Sequence, residues 1–410
     1  MNKKKIINDP VYGFISIGSE LIFDLIEHPY FQRLRHIRQL GLTDLVYPGA
    51  LHTRFHHALG AMHLMGCVLD NLRNKGIKIS AEEFEAAQAA ILLHDIGHGP
   101  FSHALEETLL SGIKHESISY LFMKELNVFF DGKLDLTLKI FRNSYERKFF
   151  HQLVSSQLDI DRLDYLKRDC FFTGVMEGSI GVDRIIAMLD VHDDRIVVQE
   201  KGIYSIENFL NARRLMYWQV YLHKTAVSAE RMLVNIIRRA HYLLSRGDTL
   251  MMSDALRIFL ARPYSINDFT QNTSLLNAFG QLDDYDIWGA LKMWRNQPDP
   301  ILAQLCTMLL QRNLFKITLT SDSIKKGQIE DVKDSIRKHY SVGSNECSYL
   351  FSVGTVSNAG YTIEGESINI ITRNGKIMDI AEASDLSNIT ALSKIVKKNY
   401  LCWPKDISLL

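Results

Sequence analysis

The sequence predicts a mainly helical protein that carries a small α+β region at its C-terminal end. From about residue 19 to residue 312, apolar residues recur mostly three or four positions apart, which is typical of packed helices. We expect a helical domain over residues 1–312 and an α+β region over 313–410, because short apolar segments appear after Asn313. The C-terminal segments predict strands at 315–319, 348–353 and 367–371 and helices near 327–340 and 388–398.

The composition is that of an ordinary soluble protein. With 46% hydrophobic and 23% charged residues, the 410-residue chain can bury a large core. Its 47 basic residues balance 47 acidic ones, so a nucleic-acid partner is not expected. No apolar run approaches the ~18 residues of a membrane span, and no signal-peptide core follows the basic start. Five scattered cysteines without a C-x-x-C pair predict reduced thiols and a cytoplasmic location.

The first forty residues predict a turn-rich lead-in followed by two helices. Turn residues interrupt alternating apolar residues over 5–18, which favours a short hairpin. A helix is expected over 19–27, where a His-Pro dipeptide would end it, and helical spacing resumes over 31–40. The second stretch is rich in arginine, which indicates either a solvated helix face or phosphate contacts.

The middle of the chain predicts further helices and one hairpin. Pro100 is suited to the first turn of a helix that carries His103 and Glu106. The remaining helices are predicted from the loop at 47–60 to about 75, then over 81–93, 115–126, 156–169, 207–245 and 251–312. The hairpin is expected between residues 195–199 and 203–206.

The stretch HDIGHGPFSH at residues 94–103 is the strongest chemical signal. It places three histidines and an aspartate directly after an apolar run. A histidine–aspartate pair is costly to desolvate unless a charge compensates it, and a metal cation is the simplest compensation. The alternative interpretation is a helix end whose histidines are surface or capping groups. Ten of the fifteen histidines lie at or before His115, which favours a chemical role for this region.

The segment SQLDIDRLDYLKRD at residues 156–169 can supply a further ligand. On a helix its carboxylates recur on one side, where they would repel one another without a cation. The alternative interpretation is a salt-bridged surface helix. Because a metal hydrolase needs three or four N/O ligands and an open position, the candidates are His57, His94, Asp95 and one acid of this helix.

Taken together, these motifs resemble the HD-domain metal-dependent phosphohydrolases. The resemblance is carried by R-x-H at 54–56, H-D at 94–95 and D-x-D-x-x-D-Y-x-x-R-D at 159–169. The chain is more specifically similar to the deoxynucleoside-triphosphate triphosphohydrolase branch, which includes the animal sterile-alpha-motif/HD-domain enzyme and bacterial relatives. Four blocks carry that similarity: KIINDPVYG (5–13), FQRLRHIRQLG (31–41), YPGALHTRFHHALG (47–60) and HDIGHGPFSH (94–103).

The resemblance implies a role for individual residues. It implies one divalent metal ion, with zinc, iron, manganese and nickel left open, held by His57, His94, Asp95 and Asp161. Asp159 and Asp164 would support that centre, and the histidines beside the reacting ester would be His98, His103 and His115. Phosphate would be bound by Arg54, Arg162 and Arg213, and the sugar by Gln39, Leu40, Tyr165 and Asp169. Tyr217 and Tyr221 would be further substrate-binding residues. Relatives have lysine at Arg162, and the animal enzyme has histidine at Tyr217.

The expected reaction is hydrolysis of a dNTP to deoxynucleoside and tripolyphosphate. Water would attack the α-phosphorus, and His103, oriented by Glu106, would protonate the leaving 5′-oxygen. Magnesium could accompany the nucleotide. Two alternatives stay open: hydrolysis of another phosphoester, namely a monophosphate, a cyclic dinucleotide or a guanosine polyphosphate, or a catalytically silent nucleotide sensor.

A regulatory nucleotide site and a homo-oligomer, dimer or tetramer, are also implied by the resemblance. The positions that match the regulatory site of the animal enzyme are Lys5, Asn8, Glu27, Gln32 and Arg35, with Glu27 in place of an aspartate. The alternative is that these residues only pack the N-terminal lobe.

Overall fold

The computed structural model describes residues 5–110, 112–358, 361, 367–385 and 394–407, without the side chain of His103. Within these ranges the chain is mainly helical with three small sheets, so the predicted fold class is confirmed. No helix in the described ranges combines the length and the apolar character that a bilayer crossing requires.

The N-terminal segment forms the predicted hairpin, in which β1 (Lys5–Asp9) pairs antiparallel with β2 (Gly13–Ile17). The side chain of Ser19 then caps α1 (Glu20–Glu27) by accepting a hydrogen bond from a first-turn amide.

The helical segment predicted over 31–40 is confirmed only as far as His36 and is wrong beyond it. Only α2 (Pro29–Gln32) and a 3-10 turn over Arg33–His36 form there. The amides of Gln39 and Arg54 donate to the carbonyls of His52 and Ile37, and this tertiary pairing uses backbone groups that a helix would need.

Seven helices surround the centre of the fold. Helix α3 packs against both α4 and α9, and its buried face carries small residues such as Ala58 and Ala61. Pro100 lies two residues before α5 rather than in its first turn, because Phe101 adopts a left-handed conformation with φ 45°. The seven are α3 (Arg54–Asn74), α4 (Ala81–Leu93), α5 (Ser102–Leu109), α6 (His115–Phe129), α7 (Asp135–Phe141), α8 (Lys148–Val154) and α9 (Ile160–Thr173).

Of the hairpin predicted at 195–206, the first strand is present but the second is wrong. After α10 (Val182–Met188), β3 (Leu189–His192) pairs with β4 (Arg195–Gln199) instead. The turn residues Asp193 and Asp194 both have positive φ, as a two-residue hairpin turn requires. Residues 203–206 begin a helix.

The single long helix predicted over 207–245 is two helices. They are α11 (Ile203–Met216) and α12 (Lys224–Ser245), separated by a π-helical turn over Tyr217–Tyr221. The side chain of His223 caps α12, so a new helix begins after this break.

The predicted helices of the next segment are present. They are α13 (Asp254–Ala261), α14 (Ile266–Gln271), α15 (Thr273–Phe279), α16 (Asp284–Trp294) and α17 (Pro300–Leu310).

The C-terminal region forms one three-stranded sheet and adds two strands, β7 and β8, to the sheet that contains β3 and β4. Strand β9 lies between β5 and β6, and β7 pairs in parallel with β4 of the helical region. The elements are β5 (Lys316–Thr320), α18 (Lys326–Tyr340), α19 (Ser344–Cys347), β6 (Ser352–Asn358), β7 (Asn369–Ile371), β8 (Ile377–Asp379), α20 (Ile380–Ala383) and β9 (Val396–Trp403).

Two C-terminal predictions need correction, and one stays open. The strand predicted over 348–353 begins only at Ser352. The helix predicted near 388–398 lies partly outside the described residues, and its last residues belong to β9 because they complete a three-stranded ladder. The division into domains at residue 312 stays a prediction.

Candidate active site

A cavity of about 940 Å³ opens where α3, the end of α4, α9 and the break between α11 and α12 meet. Its volume lies in the upper part of the range of small-molecule sites, about 300–1,000 Å³. Residues from both halves of the HDIGHGPFSH stretch line it, together with residues of the carboxylate-rich helix. The two chemical clusters of the sequence therefore face the same space.

The four predicted metal ligands lie close together: His94, Asp95 and Asp161 line this cavity, and His57 is fully buried next to them. His57 Nε2 lies 3.1 Å from Asp161 Oδ1, and His94 Nε2 lies 3.5 Å from the same oxygen. His94 Nε2 is also 3.3 Å from Asp95 Oδ1, whereas His57 Nε2 is 3.9 Å from Asp95 Oδ2. His57, His94 and Asp161, from α3, the α4 end and α9, thus each place one donor atom within 4.8 Å of the other two. Asp95 adjoins this group and also forms a second such group with His98 and His115.

These donors fit a divalent ion. Two atoms that each lie about 2.1 Å from an ion are roughly 3.0–3.4 Å apart at angles between octahedral and tetrahedral, close to the spacing seen here. His57 Nε2 and His94 Nε2 are buried and have no hydrogen-bond partner among the described residues. Burial lowers the pKa of His57, but the adjacent carboxylates of Asp161 and Asp164 outweigh burial and raise that pKa to about 10. The carboxylates of Asp161 and Asp164 therefore favour a positive charge beside His57.

Contacts behind the cluster fix the orientation of each donor. His57 Nδ1 lies 2.8 Å from Asp164 Oδ2, so Nε2 is left to face Asp161 and His94. His94 Nδ1 lies 2.6 Å from the carbonyl oxygen of Ile91, which orients that ring in the same way. Asp164 is thus a supporting carboxylate, in the position that the resemblance implies.

Asp159 has a different supporting role. It caps α9 by accepting the amide of Arg162, and its other oxygen accepts from the Arg162 guanidinium at 2.8 Å. Burial raises the pKa of Asp159 to about 6, although the charge of Arg162 opposes that shift.

Gly97 lets the chain turn from the metal ligands to the pocket histidines. A Cβ at this position would lie 2.2 Å from the amide nitrogen of Ser119 and 2.4 Å from the carbonyl oxygen of His115. The hydroxyl of Ser119 donates to the carbonyl of His94 and accepts from the amide of Gly97. Sequence reasoning missed Ser119, which carries no motif signal.

His98 and His115 stack with ring centroids 3.7 Å apart. His98 Nε2 lies 3.2 Å from Asp95 Oδ1, and its Nδ1 lies 2.5 Å from the hydroxyl of Ser102. Burial, helped by the charge of Arg54, holds the pKa of His98 well below its usual value. His98 is therefore a neutral hydrogen-bonding group at neutral pH.

The predicted acid pair falls partly outside the described residues. Nothing is described for the side chain of His103, although its backbone lies in the first turn of α5. Glu106 Oε1 accepts the amide of His115 at 2.8 Å and lies 3.5 Å from His115 Nδ1. Glu106 therefore contacts the pocket histidine His115, which the sequence had not indicated.

The residues predicted to contact deoxyribose lie together on another wall. The hydroxyl of Tyr221 donates to Asp169 Oδ2 at 2.7 Å, and the rings of Tyr165 and Tyr221 meet edge to face. His52 Nε2 lies 2.7 Å from Asp169 Oδ1, and the buried His52 ring stacks on Phe172. His52 was missed by sequence reasoning, because no motif marks its partner 117 residues away.

The three predicted phosphate-binding arginines differ in their surroundings. Arg54 lines the cavity and donates to Asp95 at 2.6 Å, and Arg162 lines it while paired with Asp159. Arg213 is not among the lining residues, but two of its guanidinium nitrogens are buried without a partner among the described residues.

The remaining predicted contacts also border the cavity. Gln39, Leu40 and Tyr217 line it, and Gln39 Oε1 is buried without a hydrogen-bond partner among the described residues. On its far side the cavity reaches Glu230 and Arg231 of α12, which sequence reasoning did not single out.

The positions matched to a regulatory site lie on the N-terminal lobe. Lys5 Nζ lies over the ring of Phe23, and Arg35 stacks on Phe55 while its Nε donates to Gln32 at 2.7 Å. Asn8 and Glu27 are exposed. None of the five lines the cavity described above.

The chain resembles known proteins in both sequence and structure. The sequence pattern of the HD domain matches residues 54–169, and that of an HD associated region matches residues 180–262. The crystal structure of a phosphohydrolase from Bacteroides thetaiotaomicron shares 51% sequence identity and a TM-score of 0.95, covering 98% of this chain and 100% of that one. The chain belongs to the HD-domain phosphohydrolase family.

Relatives of this HD-domain protein include bacterial and eukaryotic chains. The uncharacterized protein YwfO of Bacillus subtilis is 31% identical over 99% of this chain and 94% of that protein. The deoxynucleoside triphosphate triphosphohydrolase SAMHD1 homolog of Dictyostelium discoideum is 32% identical, over 60% of this chain and 51% of that protein. The HD-domain protein thus spans about half the length of this second relative.

Proposed function

We propose that this HD-domain phosphohydrolase cleaves dNTPs to deoxynucleosides and tripolyphosphate. One observation carries the proposal: the Asp169 carboxylate, held by His52 and Tyr221, borders the same cavity as the His57, His94 and Asp161 cluster. A carboxylate acceptor fits a sugar hydroxyl, whereas N/O donors around one point fit an ion beside a phosphate.

The residues that would hold the ion are His57, His94, Asp95 and Asp161. A divalent ion bound there would lower the pKa of water to about 7 and polarise a phosphoryl oxygen. Because imidazole and carboxylate ligands suit several metals, zinc, iron, manganese and nickel all remain candidates.

The chain itself would bind and orient the nucleotide. Arginine is suited to phosphate because its planar guanidinium gives two-point contacts, and Arg54 and Arg162 both reach the cavity. His98, neutral at physiological pH, would donate or accept a hydrogen bond at a phosphoryl oxygen. The oxygen of water would bond to the α-phosphorus as the bond to the 5′-oxygen breaks. His103 would give a proton to that leaving oxygen, the attacking water would release a proton to solvent, and nucleoside and tripolyphosphate would depart.

The relatives support this substrate class. The eukaryotic proteins whose names specify dNTP triphosphohydrolase activity match 58–60% of the chain. The name of the Bacillus subtilis relative YwfO states no substrate. The nucleotide specificity therefore rests on the site and calls for direct assay.

The deciding experiment is a matrix of metals and substrates with chromatography of the products. The metal-free chain is loaded separately with Mn²⁺, Fe²⁺, Zn²⁺ or Ni²⁺ and supplied with each dNTP and NTP. We expect tripolyphosphate from dNTPs and little from NTPs, with His94→Ala as the inactive control. Release of orthophosphate from a monophosphate, a cyclic dinucleotide or a guanosine polyphosphate instead would establish the other phosphoester reaction. No product in any combination would favour the sensor interpretation.

We also propose that a nucleotide acts at the N-terminal lobe of a homo-oligomer. Lys5, Gln32 and Arg35 offer cationic and amide groups there, outside the cavity. Adding dGTP should shift the assembly state in analytical ultracentrifugation and stimulate turnover. Unchanged mass and unchanged turnover would leave these residues a packing role only.

A further inference from the structure

A buried chain of charged groups runs from the N-terminal hairpin to the metal cluster. The guanidinium of Arg168 donates from Nη1 to Asp9 Oδ2 at 2.8 Å and from Nε to Asp164 Oδ2 at 2.9 Å. Asp164 Oδ2 in turn lies 2.8 Å from His57 Nδ1. The four groups connect residues up to 159 positions apart in the sequence.

Every member of this chain is shielded from water. Relative exposure is 0% for His57, Asp164 and Arg168 and 4% for Asp9. Burying a charged group is costly unless it is paired and hydrogen-bonded, so the contacts are strongly coupled to one another. Removing one of the four groups therefore leaves its neighbour with an unpaired buried charge.

A glycine in α3 leaves room for the side chains of Arg168 and Asp164. Gly60 lies one turn after His57, and a Cβ there would be 2.0 Å from Arg168 Nη2 and 2.1 Å from Asp164 Oδ1. Close approach of the charged pair to the helix is therefore possible only with glycine at this position.

Asp9 has two functions. Its Oδ1 accepts the amides of Val11 and Tyr12 and so shapes the turn between β1 and β2. Its Oδ2 accepts the shorter hydrogen bond from Arg168, at 2.8 Å from Nη1, whereas Oδ1 lies 3.4 Å from Nη2. An asparagine could keep the first function, since its side-chain oxygen also accepts amides, but would lose the charge.

We propose that Asp9 is a positioning residue for the metal centre, acting through Arg168 and Asp164 on His57. Two carboxylates and one guanidinium leave a net negative charge against the His57 imidazole. That charge makes Nε2 a better electron-pair donor and fixes the ring orientation. Without the Asp9 charge, Arg168 pairs with Asp164 alone. The negative charge of Asp164 is then more fully neutralised, so its electrostatic interaction with His57 is weaker. This inference rests on the metal centre of the proposed function.

The test measures Mn²⁺ affinity of the metal-free full-length chain, without nucleotide, from the EPR signal of free Mn²⁺. Asp9→Asn should raise the Kd for Mn²⁺ by about three- to tenfold, toward the lower end of effects known for groups behind metal ligands. Turnover of Asp9→Asn should approach wild type at saturating Mn²⁺ and fall at limiting Mn²⁺. The matched control is Asp70→Asn, an exposed carboxylate on the same helix as His57, which should change neither quantity.

A second variant separates charge from geometry. Arg168→Lys keeps the positive charge but cannot bridge both carboxylates, so it should also raise the Kd. The ¹⁵N resonances of the His57 imidazole should shift in both variants relative to Asp70→Asn. An unchanged Kd in folded Asp9→Asn or Arg168→Lys would overturn the proposal. Failure of both variants to fold would also overturn it, because the four charged groups would then have a purely structural role. Absence of Mn²⁺ binding by the wild type would instead overturn the metal centre itself.

Discussion

Ser119 donates its hydroxyl proton to the carbonyl oxygen of His94 at 2.7 Å, while the same hydroxyl accepts the amide of Gly97 at 2.9 Å. One buried side chain on α6 thereby fixes the turn that carries the metal ligands into the pocket. The close approach of α6 at this point depends on the missing side chain of Gly97.

Gly97→Ala should therefore destabilise the fold and disturb the site together. The new methyl group would meet backbone atoms 2.2 and 2.4 Å away, which cannot move as a flexible side chain can. We expect a loss of about 1–3 kcal/mol in the free energy of unfolding and reduced turnover. Urea denaturation measures the first quantity. The control is Gly289→Ala in α16, where nothing lies within 4 Å; equal stability of the two variants would contradict the argument.

Asp161→Asn should remove the negative ligand that faces both histidines. Because Asp161 Oδ1 lies 3.1 Å from His57 Nε2 and 3.5 Å from His94 Nε2, loss of its charge leaves two buried imidazoles around an ion with less compensation. Bound metal and kcat/KM should each fall at least about 100-fold, beyond the range for groups behind the ligands. Metal analysis after dialysis and product chromatography give the two values. Asp24→Asn, an exposed carboxylate on α1, serves as control; retained metal in Asp161→Asn would exclude Asp161 as a ligand.

Tyr221→Phe should weaken recognition of the sugar rather than the chemistry at phosphorus. The lost hydroxyl donates to Asp169 at 2.7 Å, so the carboxylate would be less firmly held for the 3′-hydroxyl. We expect kcat/KM for a dNTP to fall about tenfold, in keeping with one hydrogen bond to a charged group. A 2′,3′-dideoxynucleotide should lose little further activity in the variant. Equal losses with both substrates would place the role of Tyr221 elsewhere, and Tyr204→Phe, an exposed tyrosine, should behave as wild type.

Glu230→Gln should stabilise the protein at alkaline pH only. Burial raises the pKa of Glu230 to about 7 from its usual 4.5, so the folded chain holds this proton where the unfolded chain has lost it. The stability that the wild type draws from this group is complete below about pH 4.5 and is lost as pH rises to about 7. At pH 8 the variant should exceed the wild type by about 1–3 kcal/mol, with little difference near pH 4.5.

Thermal unfolding at several pH values checks this dependence. The exposed Glu146→Gln should show no such dependence. A constant difference between Glu230→Gln and wild type across the pH range would refute the assignment of burial as the cause.

Much of the site could be predicted from short-range chemistry. Residue type predicts His57, His94, Asp95 and one acid of the 156–169 helix as metal ligands, and the family resemblance implies that this acid is Asp161. The structure brings donor atoms of His57, His94 and Asp161 within 4.8 Å of one another, with Asp95 beside His94. The N-terminal hairpin and the helices α3 and α4 also followed from turn residues and apolar spacing, which are properties of neighbouring residues.

Other features depend on partners that no local pattern reveals. The helix predicted over 207–245 breaks at Tyr217–Tyr221 although its residues are compatible with a continuous helix. Tyr221, the last residue of the break, donates its hydroxyl to Asp169, so a tertiary contact accompanies the interruption of the helix. Helical spacing over 31–40 failed beyond His36 for a similar reason, since backbone pairing with residues 52–54 took its hydrogen bonds.

The sequence by itself determined the fold class and the kinds of chemical group at the site, because apolar periodicity and ligand type are written in neighbouring residues. Only the tertiary structure decided which charges support which ligands. Asp9 reaches Arg168, and His52 reaches Asp169, across more than a hundred residues of chain. The physical reason is that a buried charge must find its counter-charge wherever packing places one, and packing is a property of the whole chain.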